Sequence, residues 1–125
     1  MSTFEAAIHD FGRDVGIEQL ATGATGMMQF RFENSGTLGF AQLDDELVLH
    51  WMEPAPYDAP ALLLRALKRL ASPEPSEPAV QVGLRGEEGV DHLVFATRMR
   101  EQGCTGRELR RMVDWVRGYA GSLRA

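Results

Sequence analysis

The residues of this chain that could carry proton transfer, nucleophilic attack or metal binding are few: His9, His50, His92, Cys104, and the carboxylate pairs Asp44-Asp45 and Glu87-Glu88. The histidines stand far apart, and none has a second ligand at the spacing a metal needs. Cys104 lies in the turn-like run Gln102-Gly-Cys-Thr-Gly106. A nucleophilic thiol wants a base beside it, and the sequence names none. The two carboxylate pairs fall in turn sequences, where acidic residues serve the turn itself. Gly23 and Gly26 precede a strand rather than a helix, so they do not make a phosphate-cradling loop. No nucleophile, base and orienting acid can be assembled from these groups. The expectation is a binding protein without catalytic residues, metal or cofactor. The competing reading is a small α+β enzyme or ligand-binding domain, with a pocket between helix and sheet around His50 and Trp51.

Any such chemistry would be positioned by three helices and five strands. Thr3 caps a helix predicted over 3–16, in which Phe4, Ala7, Ile8, Phe11 and Val15 recur at spacings of three and four. Gly16 suits its C-terminus, and residues 21–26 read as a flexible connector. Met28, Phe30 and Phe32 alternate with polar neighbours, a half-buried strand. Asn34-Ser-Gly36 signals a turn, and Leu38 and Phe40 continue on the next strand. Asp44-Asp45 turns the chain into a third strand over 46–52, where Leu47, Leu49 and Trp51 face one way and Val48, His50 and Met52 the other. Both sides are apolar, which suggests a central strand or a sheet whose second face also meets something apolar.

The segment from Asp58 to Ala71 reads as a helix. Asp58 is placed as N-cap, Pro60 sits in the first turn, Arg65, Lys68 and Arg69 gather toward the C-terminal end, and Pro73 and Pro75 stop it. Leu63, Leu67 and Leu70 form one stripe, Leu62 and Ala66 lie beside it, and Leu64 lies on another side. A helix covered on one face needs one stripe; this one asks for more. The loop Ser72 to Pro78 is acidic and Pro-rich. Val80, Val82 and Leu84 alternate as a fourth strand, residues 86–89 turn, and residues 92–98 make a fifth strand with Leu93 and Phe95 on one face. Thr105 with Glu108 is a capping-box pattern. It opens a helix to about Tyr119 with Leu109, Met112, Val113, Val116 and Ala120 on its buried stripe, and with Arg107, Arg110, Arg111 and Arg117 on a solvated face.

The order predicts one domain over residues 1–125, an α+β sandwich of α-β-β-β-α-β-β-α plan with a twisted antiparallel sheet covered by helices. At 125 residues the chain is long enough for a real core. A net charge of −5 argues against a dedicated nucleic-acid binder. No run reaches the ~18–20 apolar residues that span a bilayer. The N-terminus has no basic region followed by an apolar core, so no secretory signal is expected. The single cysteine excludes an intrachain disulfide, which fits a reducing cytosol. What the sequence has in surplus is apolar surface, and large apolar patches mark partner surfaces.

Across its full length the chain resembles the small acidic class I chaperones of bacterial type III secretion, and within them the SycN-like branch. The resemblance is carried by Met1-Ser-Thr-Phe-Glu5, His9-Asp-Phe-Gly-Arg-Asp-Val-Gly16, Ser35-Gly-Thr-Leu38, Leu47-Val-Leu-His-Trp51, Ala66-Leu67 and His92-Leu-Val-Phe95, in that order. It implies a cytosolic dimer without ATPase activity, transiently at the inner-membrane face of the secretion apparatus. Such a chaperone binds the N-terminal region of a secreted protein, keeps it extended, and presents it for export. The SycN-like branch implies one half of a heterodimer with a second small chaperone, serving a secreted gatekeeper or effector; self-pairing as a homodimer is the alternative. By position, the resemblance assigns Leu62, Leu63, Leu67, Leu70, Val80 and Val82 to the dimer interface. It assigns Phe4, Ile8, Phe11, Phe30, Phe40 and Trp51 to client binding. No nucleic acid and no membrane span are implied.

Overall fold

A computed structural model describes residues 3–15, 21–22, 28–32, 36–72 and 78–124. The elements run α1 (Thr3–Asp14), β1 (Ala21–Thr22), β2 (Met28–Phe32), β3 (Gly36–Leu43), β4 (Glu46–Pro54), α2 (Ala59–Leu70), β5 (Gln81–Glu87), β6 (Val90–Arg100) and α3 (Gly106–Ser122). This is the expected α-β-β-β-α-β-β-α order with one short strand added in front. The connector expected over 21–26 is therefore corrected at its start: Ala21 and Thr22 pair with Gln29 and Met28. Residues 23–26, the Gly16 cap, the Asn34-Ser35 turn and Pro73 to Glu77 of the Pro-rich loop lie outside the described residues.

The sheet order is β1-β2-β3-β4-β6-β5, and every pairing is antiparallel. Two tight turns set the hairpins. Asp44 takes a φ of 53° between β3 and β4, and Glu88 and Gly89 take 53° and 76° between β5 and β6. Acidic and glycine residues tolerate this left-handed geometry best. α2 carries the chain from β4 to the far edge, and β6 then returns through the gap to pair with both β4 and β5. That placement makes β4 an interior strand; Leu47, Leu49 and Trp51 are buried on one side, while Val48, His50 and Met52 on the other are partly exposed.

Period-two alternation divides the sheet into two faces. Leu38, Phe40, Leu47, Leu49, Trp51, Leu93 and Phe95 are buried on one face beneath the helices. Phe11 from α1 meets Phe30 and Phe40 edge-on, with ring centroids 5.7 Å from each, a favoured aromatic geometry. α3 lies beside α1 through its expected stripe, all of it buried. Their crossing is close at Gly106, where a Cβ would come within 2.6 Å of Asp10 Cβ and 3.1 Å of the Phe11 amide nitrogen. The capping box forms: the Glu108 N–H donates to Thr105 Oγ1 at 3.1 Å. α2 covers β5 and β6 with Ala59, Leu62 and Ala66. It is tied to α3 by the Tyr119 hydroxyl donating to the Ala66 carbonyl at 3.2 Å and Arg65 donating to the Leu123 carbonyl at 2.8 Å. Asp58 stands at the N-cap, but its side chain makes no capping hydrogen bond. All three helices thus share one face, and the other face of the sheet has no helix over it among the described residues.

Candidate partner and client surfaces

The groups most capable of chemistry are dispersed. Among the described residues no three His, Cys, Asp or Glu side chains gather as metal ligands. Cys104 is buried, and burial first, then Glu108 and Glu101, push its thiol pKa up. A thiol so placed is a poor nucleophile. His50 and Trp51 do not share a pocket. They are neighbours on β4, so their side chains leave opposite faces of the sheet. Trp51 is in the core, edge-on to Phe32 at 5.8 Å, with the Arg117 guanidinium 5.0 Å from its ring. Arg117, expected on a solvated face, is exposed there and lays its guanidinium over Trp51 and Phe32. Nearby Glu53 is mostly buried and its Oε1 has no hydrogen-bond partner. Burial pushes its carboxyl up, opposed by Arg124, the Trp51 indole and Arg117.

His50 instead lies on the open face. Its ring rests on Gly39 of β3, where a Cβ would sit 2.1 Å from both Cε1 and Nε2. Glycine is needed there because any side chain would occupy the imidazole's place. Burial, then the neighbouring Arg85, hold the His50 pKa below its ordinary value. The ring is therefore neutral near pH 7. Around it is a groove of about 500 Å³ lined by Gln29, Arg31, Thr37, Met52, Arg85 and His92 among others.

A second surface follows α2 and β5. Leu64 is 53% exposed, Leu67 49% and Leu84 41%. Leu63, Leu70 and Val82 are half-buried against the core edge. These residues border the outer strand β5, whose free side has no partner strand in the sheet order. Of the residues expected at a dimer interface, Leu63, Leu67, Leu70 and Val82 belong to this surface. Leu62 and Val80 do not: they are 2% and 8% exposed and belong to the core. Leu64 and Leu84 are exposed on the same surface and lie outside the expected set. Leu64 was signalled by its place off the main stripe; Leu84 looked like an ordinary inward strand residue.

The expected client-binding residues need a larger correction. Phe4, Ile8, Phe11, Phe30, Phe40 and Trp51 are each 4% exposed or less. They fill the space between α1, α3 and the sheet, so in this conformation they have no surface to offer a client. Large aromatics are the residues a small domain needs most for its own core.

Exposed leucines gather on α2 and β5, with Leu43 and Tyr57 exposed elsewhere, and the groove on the sheet face opposite the helices is lined mainly by polar side chains. Both features suit a protein that works by holding other polypeptides. Solved structures of the same architecture include SycH, a type III secretion chaperone of Yersinia pestis solved with a fragment of YscM2. It aligns with a TM-score of 0.71 at 15% identity, over 98% of this chain and 99% of that one. The ExoT–SpcS complex from Pseudomonas aeruginosa contains another, at a TM-score of 0.64 and 14% identity, with 96% of each chain covered. The HopA1–SchA chaperone–effector complex gives a TM-score of 0.61 at 20% identity, over 95% and 94%. At these identities the likeness shows the fold. No curated protein sequence matches significantly. The family profile of the type III secretory system chaperone SycN, however, matches residues 3–105. Family and fold together are those of non-enzymatic binding proteins, and the chain belongs to the SycN family of type III secretion chaperones.

Proposed function

We propose that this chain is one single-domain subunit of a dimeric chaperone that binds the N-terminal region of a secreted gatekeeper or effector protein. It holds that region extended and presents it to the export apparatus. The dimer forms along α2 and β5 through Leu63, Leu64, Leu67, Leu70, Val82 and Leu84, with Leu62 and Val80 supporting them from the core. The observation that carries this reading is the run of half-exposed leucines on α2. A soluble acidic protein has no use for Leu64 and Leu67 at 53% and 49% exposure unless something covers them. In the SycN family the natural partner is a second small chaperone, so the working unit is a heterodimer. It acts in the bacterial cytoplasm and visits the inner-membrane face at the export apparatus. No helix among the described residues is long and apolar enough to cross a membrane.

An extended client loses conformational entropy on binding. Apolar contact offsets that loss at ~25 cal/mol per Å² buried. Main-chain hydrogen bonds at an open strand edge add affinity without demanding one client sequence. Light scattering of the purified chain, alone and co-expressed with a small chaperone encoded beside it, tests the assembly. A heterodimer that is more soluble than either chain alone is expected. A stable monomer that ignores both the second chaperone and secreted proteins would refute it.

A further inference from the structure

We propose that the open face of the sheet is a docking groove for an extended acidic polypeptide segment, held by Arg31 and Arg85 from strands on either side of β4. The inference rests on the chaperone reading only for the identity of the polypeptide; the chemistry of the groove stands by itself.

The argument begins with charge. The chain carries a net charge of −5, yet this face runs against that balance. Strand register places Arg31 of β2, Arg98 and Arg100 of β6 and Arg85 of β5 on it, with Glu46 and Glu87 as the acidic residues. Glu46 is already engaged by Arg98 at 3.2 Å. Arg31 and Arg85 are exposed, line the groove, and form no ion pair among the described residues. A groove of about 500 Å³ bordered by two guanidiniums against the single carboxylate of Glu87 is complementary to carboxylates, which arginine recognises with paired hydrogen bonds.

Shape points the same way. Gly83 of β5, in the same row as Arg31, has open space above it, with nothing within 4 Å of where a Cβ would sit. That gap leaves room for a backbone to approach. Arg31 and Arg85 stand four strand spacings apart, ~19 Å at ~4.8 Å each, which an extended segment of about six residues spans. In register, Arg31 lies one residue pair along the strands from His50 and Arg85 two, on the same side, so a segment that reaches both arginines crosses beside His50, near Met52 and His92.

His50 gives the groove a pH response. The charged and titratable groups on its face are Arg31 from β2, Glu46 from β4, His92, Arg98 and Arg100 from β6, and Arg85 and Glu87 from β5; β3 presents no charged side chain. In the empty groove burial and Arg85 disfavour the imidazolium. A carboxylate laid beside Arg85 reverses part of that, so binding takes up a proton and tightens as pH falls.

The test uses the whole chain and fluorescein-labelled ten-residue peptides, one alternating Glu and Thr, one alternating Lys and Thr. Anisotropy should show the acidic peptide binding at least about tenfold more tightly than the basic one, and the R31Q/R85Q variant should lose about tenfold. Affinity should rise about fivefold from pH 8 to pH 6, and H50Q should abolish that rise. Both arginines are exposed, so the double variant should melt with the parent. Binding of neither peptide, preference for the basic one, affinity unchanged in R31Q/R85Q, or full displacement by millimolar inorganic phosphate would each overturn the proposal. Capture of an intact secreted protein is measured separately. A double variant that loses the acidic peptide and also loses client supports a client segment in the groove. Peptide binding by a chain that captures no secreted protein leaves the groove standing and removes the chaperone reading.

Discussion

Replacing Leu67 with Glu should split the assembly and leave the subunit folded. Leu67 is 49% exposed in the single chain, so its outer half contributes little to the fold. Burying a whole leucine contributes ~1.5–3 kcal/mol, so covering the exposed half gives about 1 kcal/mol per copy. A twofold seam counts the residue twice, about 2 kcal/mol in all. A glutamate facing an apolar seam adds several kcal/mol of uncompensated desolvation. The total, about 5 kcal/mol, weakens the dimer more than a thousandfold; a heterodimer, in which the position occurs once, loses about half that energy. Sedimentation velocity over a dilution series reads the change, and circular dichroism confirms the fold. Leu62→Ala is the contrasting variant. Leu62 is 2% exposed beneath α2, so its truncation should lower unfolding stability by ~2–5 kcal/mol and act on assembly only through the fold. If Leu67→Glu stays folded and its mass is unchanged, the seam is not on α2.

Other outcomes follow from single contacts. His50 has a folded pKa below its ordinary 6.5. Above that value its contribution to stability is complete; as pH falls through 6.5 toward the folded value, the unfolded chain binds the proton first and stability drops. Urea midpoints of the wild type should therefore decline over that window more steeply than those of His50→Gln, and parallel curves would show that His50 is not the titrating group. Gly106→Ala should cost about 1–3 kcal/mol, because its methyl would press within 2.6 Å of Asp10 Cβ and 3.1 Å of the Phe11 nitrogen at the α1–α3 crossing. An unchanged melting temperature would mean the two helices separate freely there. Tyr119→Phe removes the hydroxyl that donates to the Ala66 carbonyl, and should cost about 0.5–1.5 kcal/mol in chemical denaturation; no loss would mean that water replaces this contact.

The elements were legible because each one follows a local period. Phe4, Ala7, Ile8 and Phe11 mark α1, the Thr105–Glu108 box opens α3, and Leu47, Leu49 and Trp51 alternate along β4 as expected. Strand order was not legible, because nothing local says that β6 returns between β4 and β5. The pairing of Ala21 and Thr22 with β2 is likewise a tertiary event in a run rich in Gly and Thr. The exposed leucines of α2 are partly legible. Leu64 lies off the main stripe, so its exposure follows from helix geometry; Leu67 lies on that stripe and is exposed because α2 turns Ala59, Leu62 and Ala66 to the sheet instead. That the residues expected to bind client are buried has a related reason. Phe11, Phe30 and Phe40 are large, and size alone does not separate an anchor for a partner from an anchor for the core. Their mutual edge-on packing places them in the core. In the sequence His50 stands between apolar Val48 and Met52, but the fold puts it in a groove lined mainly by polar side chains. Its proximity to Arg85 depends on the register of β4, β6 and β5, which no short stretch of sequence encodes.

The central claim is that this chain holds the N-terminal region of a secreted protein in an extended form. The most direct measurement is co-expression of the chain, a small chaperone encoded beside it and that N-terminal region, followed by size exclusion with light scattering and limited proteolysis of the complex. The account predicts one species containing the chaperone pair and the client, with the bound segment protected from protease and no gain in client helix or sheet beyond added edge pairing. A monomeric chain, with a client that elutes separately and is digested at the rate of the free segment, would contradict it.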